Sequence, residues 1–306
     1  MTGSAVPPPP GRRRCVLSVP AGDARKVAKA LGSAADELVL DLEDAVAVGD
    51  KDAARELLVA TLHDLEPRRA PILTVRVNAP GSPWCHADLL ALAVLPRPPA
   101  TVVVPKVESA GDLAFVDRLL AGAEAGRAAV VPMTVQALIE TAAGLERVQE
   151  IARSSPRLVS LVLGYADLAA SLGMTAPAPD RLDLWLPAQQ ALLVAARAAG
   201  IQAIDGPHLG VGVDEHFARD VGRARDLGFD GKWAIHPAQL EPITAAFTPS
   251  GSEVAAAREV LDTLARAAVA GAGAAQLHGQ MLDEAVAAAA RRVLARSAGD
   301  PAEDGA

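Results

Sequence analysis

The sequence is poor in aromatic residues and has no basic run of the kind that binds nucleic acid. Aromatics make up 3% of the 306 residues, and the net charge is −8. Few stacking platforms and an excess of negative charge both disfavour a polyanionic partner. Apolar runs stay shorter than the roughly 18 residues that a membrane span requires. These absences predict a chain that binds neither nucleic acid nor a membrane.

Short motifs typical of paired thiols, zinc sites and nucleotide-binding loops are missing as well. The two cysteines, Cys15 and Cys85, form no CxxC pair, which predicts free thiols in a reducing cytoplasm. The six histidines form no HxxxH or HxH pair, so zinc is disfavoured. No apolar segment is followed by GxGxxG or GxxxxGK[ST], which disfavours a doubly wound open sheet that binds nucleotides.

What the sequence does contain is a repeated alternation of apolar segments and helical patterns. Eight such segments occur, and their starts are spaced by about 20 to 40 residues, the scale of a βα repeat. They span residues 14–19, 37–42, 71–77, 101–104, 130–139, 158–163, 201–204 and 231–235. Eight units predict an α/β protein, a (β/α)₈ TIM barrel, with an extra C-terminal helical segment.

This pattern also predicts the domain organisation. Residues 1–11 are a disordered proline-rich lead-in, and residues 12–248 form the barrel. Residues 249–298 are a helical segment, because the sequence is alanine-rich from Ser252 onward. Residues 299–306 are predicted to be a disordered tail.

Polar residues recur where the predicted strands end. They are Asp41, Arg76, Lys106, Glu140, Asp167, Asp205 and His236. In a barrel these ends converge on one mouth, where crowded carboxylates repel one another unless a cation lies among them. Oxygen ligands favour Mg²⁺ or Mn²⁺. The sequence therefore predicts that Glu140 and Asp167 hold a divalent cation, with Arg76 close by.

Simpler interpretations remain open for each of these residues. Each acid could cap the helix that follows it, and Arg76 could be an ion-pair partner of Asp41 or Glu43. Asp205 and Gly206 are predicted to form a turn. A metal beside a 2-oxo group suits carbon–carbon bond chemistry, whereas a Schiff-base aldolase needs a desolvated lysine.

Candidates for such a lysine are Lys106 and Lys232. The acid cluster makes the metal route the favoured one.

Longer motifs point to a known family. In order, they are RRRCVLSVPAG, LVLDLEDAV, LTVRVNAPGS, VVVPKVES, LIETAAG, LGYADLAASLG, AIDGP and GFDGKWAIHPAQ. This series, from Arg12 to Gln239, resembles the citrate lyase β-subunit-like (CitE-like) branch of the HpcH/HpaI aldolase family. That branch includes malyl-CoA and citramalyl-CoA lyases. A weaker similarity to the same family lies in GQMLDEAV, from Gly279 to Val286.

The resemblance implies a Mg²⁺-dependent (or Mn²⁺-dependent) barrel enzyme with assigned roles. Glu140 and Asp167 would bind the metal beside the substrate, and Arg76 would bind the oxo acid and stabilise the enolate. The acids of the DLEDA motif would line the site and hold metal-bound water. They are Asp41, Glu43 and Asp44.

The resemblance also implies a homo-oligomer, a trimer or hexamer, in which the C-terminal segment completes a neighbouring subunit's site. Asp283, in Met281-Leu282-Asp283, would be the catalytic base contributed in this way. Candidates for CoA binding near the first strand are Arg12, Arg13 and Lys26.

One departure from the family pattern bears on the activity. Ala166 stands where citrate lyase β-subunits carry glutamate, which favours a stand-alone acyl-CoA lyase. The resemblance thus implies reversible cleavage of a β-hydroxyacyl-CoA, such as malyl-CoA or citramalyl-CoA, into an acyl-CoA and a 2-oxo acid. The alternatives are a CoA-independent class II pyruvate aldolase and a catalytically silent citrate lyase β-like subunit.

Overall fold

The computed structural model describes residues 11–65, 71–127, 131–175, 181–269 and 275–297. The chain divides into two compact units, residues 1–244 and 245–306. The predicted disordered ends lie outside the described residues, apart from Gly11. Within the described ranges, no helix combines the length and the apolar character needed to cross a membrane.

Eight parallel strands form a closed barrel in the first unit, which confirms the predicted fold. Their bounds are β1 (Cys15–Pro20), β2 (Glu37–Asp41), β3 (Ile72–Arg76), β4 (Thr101–Val104), β5 (Thr134–Ile139), β6 (Leu158–Leu163), β7 (Gln202–Asp205) and β8 (Gly231–Ala234). Each strand pairs with the next along the chain, and β1 closes the barrel against β8. All eight predicted strands are present, although β5 begins at Thr134, later than predicted.

Helices follow the strands and surround the barrel. Their bounds in the first unit are α1 (Ala24–Ala30), α2 (Lys51–His63), α3 (Cys85–Ala93), α4 (Ala110–Glu124), α5 (Ala142–Glu146), α6 (Val148–Ile151), α7 (Tyr165–Ser171), α8 (Leu186–Ala199) and α9 (Glu215–Leu227). The remaining helices are α10 (Leu240–Phe247), α11 (Gly251–Val269) and α12 (Glu284–Ser297).

Local sequence explains where several helices begin and end. The side chains of Asp23 and Asp214 accept hydrogen bonds from backbone amides in the first turns of α1 and α9. Ser109 forms a capping box with Asp112 at the start of α4. Gly228 ends α9 in the left-handed conformation that favours glycine.

The barrel interior is filled by an apolar layer with a polar layer on its amino-terminal side. The apolar layer takes one residue from each of seven strands: Val16, Val39, Val103, Leu138, Val162, Ile204 and Trp233. In the polar layer, the carboxylate of Glu37 accepts hydrogen bonds from Thr74 and Gln136. All three side chains are buried, so the base of the barrel is held by hydrogen bonds between polar groups.

Arg13 belongs to this polar layer, which corrects its expected role in binding CoA. Its Nε lies 2.8 Å from Glu37 Oε2, and its Nη1 donates to Gln202 Oε1 at 2.8 Å. The residue is 4% exposed and precedes β1, at the end of the barrel opposite the carboxyl ends of the strands. Arg13 is therefore a buried structural residue, because a guanidinium with these partners is not available to a ligand at the mouth.

A second buried network links β7, β8, α7 and α9. Lys232 Nζ lies 2.5 Å from Asp205 Oδ2 and 3.0 Å from Asp220 Oδ2. The hydroxyl of Tyr165 donates to Asp205 Oδ1. Burial alone would lower the pKa of Lys232, but the two carboxylates outweigh it and raise that pKa. The interpretation of Asp205 and Gly206 as a simple turn is wrong, because Asp205 is a fully buried ion-pair partner.

The described part of the second unit consists mainly of two helices and a hairpin. The antiparallel strands β9 (Ala275–Leu277) and β10 (Gln280–Leu282) lie between α11 and α12. His278 and Gly279 join them with φ values of 50° and 82°. Two successive positive φ angles are typical of a type I′ hairpin turn. The prediction of a helical segment from Ser252 onward is therefore wrong over residues 275–282.

Among the described residues both cysteines are free thiols, and both are buried. Burial raises the pKa of Cys15 to about 12, with a further contribution from Asp36. Burial and the nearby Asp88 raise the pKa of Cys85 to about 12. Both thiols stay protonated near neutral pH, so they are packing residues and not nucleophiles.

Replacing Lys232 with Met tests the second buried network. We expect a loss of about 3–5 kcal/mol in the free energy of unfolding, because Asp205 and Asp220 would keep buried charges without their partner. The measurement is urea denaturation at neutral pH. The matched control is Lys29→Met on the exposed face of α1, for which we expect a change within about 0.5 kcal/mol. Equal losses in both variants would contradict this interpretation.

Candidate active site

The candidate site lies at the carboxyl ends of the barrel strands and begins with a pair of neighbouring residues. Asp41 and Arg76 are register partners at the ends of β2 and β3. Arg76 Nε donates to Asp41 Oδ1 at 2.7 Å, and Nη2 donates to Oδ2 at 2.5 Å. Arg76 Nη1 lies 3.0 Å from Glu43 Oε2 and 3.5 Å from Asp44 Oδ2. The ion pairs that the sequence left as an alternative role for Arg76 are therefore present.

Asp41 also shapes the loop that carries the other two acids. Its carboxylate accepts hydrogen bonds from the backbone amides of Glu43 at 2.8 Å and Ala45 at 3.2 Å. From the other side, Lys51 Nζ donates to the carbonyl oxygens of Leu42 at 2.9 Å and Glu43 at 2.6 Å. These bonds fix where Glu43 points. Sequence reasoning missed Lys51, although a lysine at the start of a helix is electrostatically unfavourable and could have signalled a specific role.

Lys106 is the residue that connects this acidic loop to the two predicted metal ligands. Its backbone amide donates to Glu140 Oε1 at 2.9 Å. Its ammonium lies 3.3 Å from Asp167 Oδ2, 2.6 Å from Glu43 Oε1 and 3.7 Å from Asp44 Oδ1. Lys106 thus contacts Glu140 through its backbone amide and Asp167 through its ammonium, so both carboxylates lie beside the same residue at the barrel mouth.

Glycine allows Glu140, which directly follows strand β5, to approach the helix that carries Asp167. A Cβ atom on Gly164 would lie 2.6 Å from both Cβ and Oε2 of Glu140, which no real Cβ tolerates. Gly164 directly precedes α7, and Asp167 lies in the first turn of that helix. The absence of a side chain at Gly164 thus lets Glu140 lie against the start of α7.

The alternative role of the two acids as helix caps is not what the structure shows. Thr141 is the N-cap of α5, and its side chain accepts from the amide of Gly144 at 3.0 Å. Gly164 is the N-cap of α7 and has no side chain to offer. The polar contacts of Glu140 and Asp167 are instead with Lys106.

The charges of the cluster shift several pKa values. Burial raises the pKa of Glu140 to about 8, helped by Glu43 and Asp167 and opposed by Arg76 and Lys106. Glu140 is 3% exposed and has no ion-pair partner among the residues that the structure describes. Burial would lower the pKa of Arg76 and Lys106, but their acidic neighbours raise both. Both cations therefore stay charged at neutral pH, whereas the carboxyl of Glu140, with a pKa of about 8, is mostly protonated there.

The residues present fit a hard divalent cation. Among the described residues, no three His, Cys, Asp or Glu side chains form a ready-made metal site. Mg²⁺ does not require one, since it usually keeps several waters and takes one or two carboxylates. Glu140 and Asp167 supply two carboxylates, and a bound cation would offset both the burial and the repulsion from neighbouring acids that raise the pKa of Glu140.

The same geometry disfavours a Schiff-base route. Lys232 is fully buried against two acids, and the pKa of Lys106 is raised by its acidic neighbours. A lysine nucleophile needs a lowered pKa to be an unprotonated amine.

Of the three further residues predicted from the sequence, Arg12 and Lys26 belong to the barrel unit, and Asp283 belongs to the other compact unit. Arg12 lies three residues before β1, on the amino-terminal side of the barrel. Lys26 is exposed in α1 and forms an ion pair of 3.4 Å with Asp23. Asp283 belongs to the second unit, where its carboxylate accepts from the amide of Val286 at 3.1 Å at the start of α12.

The fold and the cluster define a (β/α)₈ barrel enzyme with an anionic mouth suited to a divalent cation. Residues 14–237 match the model of the HpcH/HpaI aldolase/citrate lyase family. This match covers most of the chain, so the protein belongs to the HpcH/HpaI aldolase/citrate lyase family and is a carbon–carbon lyase.

Relatives of known name agree with this placement. The L-malyl-CoA/beta-methylmalyl-CoA lyase of Rhodobacter capsulatus is 37% identical, with 90% of this chain and 92% of the relative covered. The (3S)-malyl-CoA thioesterase of Cereibacter sphaeroides is 38% identical, with 93% and 94% covered.

Among solved structures, CitE of Mycobacterium tuberculosis in complex with magnesium, acetoacetate and coenzyme A is 34% identical. Its TM-score is 0.75, with 94% of this chain and 98% of that chain covered. The overlap spans nearly the whole of both chains, so the likeness is not confined to a shared barrel core.

The raised pKa of Glu140 predicts a specific pH dependence for the metal-free protein. Folded Glu140 keeps its proton up to about pH 8, whereas the unfolded chain releases it near pH 4.5. Because the folded state binds more protons in this window, ionisation of Glu140 should lower stability as the pH rises, by at most about 1.4 kcal/mol per pH unit. Glu140→Gln should remove this contribution.

The measurement is urea unfolding between pH 5 and about pH 9 in the presence of a chelator. We expect the stability of Glu140→Gln relative to the wild type to grow across the window and to level off above it. The control is Glu146→Gln, an exposed acid on α5, whose curve should run parallel to the wild type. A parallel curve for Glu140→Gln would contradict the raised pKa.

Proposed function

We propose that this lyase is Mg²⁺-dependent (or Mn²⁺-dependent) and cleaves a β-hydroxyacyl-CoA reversibly into an acyl-CoA and a 2-oxo acid. The observation that carries the proposal is the meeting of two carboxylates, Glu140 and Asp167, around Lys106, with the permanently charged Arg76 at the same mouth. Two named relatives act on malyl-CoA, and CitE was crystallised with magnesium and coenzyme A, which supports this substrate class.

Glu140 and Asp167 would hold the metal ion in this proposal. When bound, the ion supplies Lewis-acid polarisation of the 2-oxo oxygen. Glu140 must lose its proton to serve as a ligand, so affinity for the ion falls as the pH drops below about 8. The backbone amide of Lys106 holds the carboxylate of Glu140 in place during this exchange.

The cleavage reaction requires specific roles from the chain's own groups. In the cleavage direction, the β-hydroxyl loses its proton, the bond between the α- and β-carbons breaks, and its electron pair moves onto the thioester as an enolate. The α-carbon then takes up a proton to give the acyl-CoA. Arg76 supplies a positive charge that does not titrate, which lowers the energy of an enolate oxygen formed near it. Asp41 holds the guanidinium in one orientation by two parallel hydrogen bonds.

Asp283, acting from a neighbouring subunit of a homo-oligomer, is the proposed base that removes the α-proton of the acyl-CoA in the condensation direction. Its side chain is exposed, and the hydrogen bond from Val286 fixes it at the start of α12. A carboxylate held by one backbone amide keeps a second oxygen available to accept a proton. Lys26, exposed after the first strand, stays a proposed contact for CoA.

A second candidate function is hydrolysis of the thioester. It is favoured by the relative named (3S)-malyl-CoA thioesterase, which is as similar to this chain as the lyase is. Hydrolysis breaks the bond between carbonyl carbon and sulfur, and it consumes one water. The two reactions therefore release different products from the same substrate, and one assay separates them.

The decisive assay uses purified protein, Mg²⁺ and either malyl-CoA or citramalyl-CoA. For the lyase we expect a 2-oxo acid, detected as its hydrazone, in amounts equal to the β-hydroxyacyl-CoA consumed. No free CoA thiol should appear. Free CoA thiol without a 2-oxo acid would establish hydrolysis instead. Turnover of CoA-free hydroxy-oxo acids alone would establish the pyruvate aldolase alternative.

The same assay on Glu140→Gln and Asp167→Asn should show kcat/KM lowered at least about 100-fold. The exposed Glu146→Gln should stay within about twofold of the wild type.

Mixing subunits tests whether Asp283 acts across a subunit boundary. Asp283→Asn and Glu140→Gln should each be nearly inactive alone, since each lacks one part of every site. If the two parts come from different subunits, mixed oligomers regain about a third of their sites in a trimer and about a quarter in a hexamer, because random assembly pairs the two intact groups at these frequencies once unmixed oligomers are removed. The measurement is the specific activity of mixed oligomers purified through two different affinity tags. No recovery would contradict the contribution in trans.

A further inference from the structure

Lys106 has a backbone conformation that its residue type does not favour. Its φ is 52°, and among the described residues the other non-glycine residue with positive φ is His278, in the hairpin turn. Lys106 lies in no hairpin, since it follows the end of β4. Such a conformation persists when surrounding contacts hold it, and it is often found at functional sites.

The contacts that hold Lys106 come from both its backbone and its side chain. The amide donates to Glu140 Oε1 at 2.9 Å, and Nζ lies 2.6 Å from Glu43 Oε1 and 3.3 Å from Asp167 Oδ2. The left-handed conformation is therefore what lets one residue reach both proposed metal ligands. The ammonium is a positive charge placed where the proposed divalent cation would also be attracted.

We infer that Lys106 is a resident counter-cation: its ammonium takes the place of the divalent ion beside Asp167, and metal binding must displace it. This inference rests on the proposed assignment of Glu140 and Asp167 as metal ligands. The side chain of Lys106 is 35% exposed on a flexible stem, so Nζ can withdraw from Asp167 while it keeps Glu43 and Asp44 as partners. Lys106 is thus a positioning residue that sets how tightly the site holds its metal.

The direction of the effect follows from charge. An ammonium competes with the ion for Asp167 and repels it from any nearby position, so its removal should tighten metal binding. A residue that merely completed the site would have the opposite effect, because its loss would leave the carboxylates disordered. The sign of the change in Mg²⁺ affinity therefore separates the two roles.

The experiment is calorimetric titration of the full-length, chelator-treated protein with Mg²⁺ alone, without thioester. Lys106→Gly keeps the backbone conformation without strain, and Lys106→Asn replaces the charge with a residue that tolerates positive φ. We expect both variants to bind Mg²⁺ about tenfold more tightly than the wild type, within the usual range of coupling between sites. Unchanged or weaker binding in both variants would overturn the inference.

Two controls keep the result specific. Lys106→Arg retains the charge and should not tighten binding. Lys29→Asn removes an exposed lysine of α1 and should leave the Kd within about twofold, because solvent and salt screen exposed charges. Equal tightening by Lys29→Asn would also overturn the inference, since it would reflect net charge alone. Circular dichroism of each variant confirms that the barrel is folded.

Failure of the proposed reaction and failure of this inference give different results. If no thioester is cleaved but Lys106→Gly tightens Mg²⁺ binding, the substrate assignment is wrong and the role of Lys106 is supported. If thioester is cleaved but the Mg²⁺ affinity of the Lys106 variants is unchanged, only the inferred role of Lys106 is wrong. If neither the wild type nor the variants bind Mg²⁺, the inference is wrong together with the metal site.

Discussion

Repulsion between carboxylates at the barrel mouth is the constraint around which the site is arranged. Five acids lie there: Asp41, Glu43, Asp44, Glu140 and Asp167. The cations they contact are Arg76 and Lys106, so the cluster stays negative when all its acids are ionised. Burial disfavours this excess of negative charge, and the pKa of Glu140 is raised as a result. A cluster with this imbalance is stabilised by any further cation that enters.

The barrel makes this crowding possible because its strands end at a common mouth. Each acid follows the end of a different strand or shares a short loop, so no single stretch of sequence carries the whole charge. The apolar and polar layers beneath the mouth provide the stability that the mouth itself lacks. Glu37 and Arg13 form a matched pair at the base, whereas Glu140 above has no ion-pair partner among the described residues. Stability and reactivity are thus placed at opposite ends of one barrel.

The sequence predicted most of the fold and the position of the two central acids at the barrel mouth, because these depend on local periodicity and on where acids follow strands. It did not reveal Lys106 as the link between them, since that link needs a positive φ and a backbone amide that no motif encodes. It misplaced Arg13, because proximity to the first strand does not tell which end of the barrel a side chain enters. The hairpin over residues 275–282 was hidden by its alanine-rich surroundings, although His278 and Gly279 mark its turn.

Comparison of the two lysine–carboxylate clusters separates a sealed structural cation from one that solvent can reach. Lys232 and Lys106 each contact more than one acid at distances near 2.5 Å to 3.7 Å. The side chain of Lys232 is 0% exposed, so its ammonium cannot move into water and no other cation can replace it beside its carboxylates. Lys106 is 35% exposed, and its charge can move into water at small cost. The chemistry is the same in both clusters, and access to solvent decides whether the cation can be replaced.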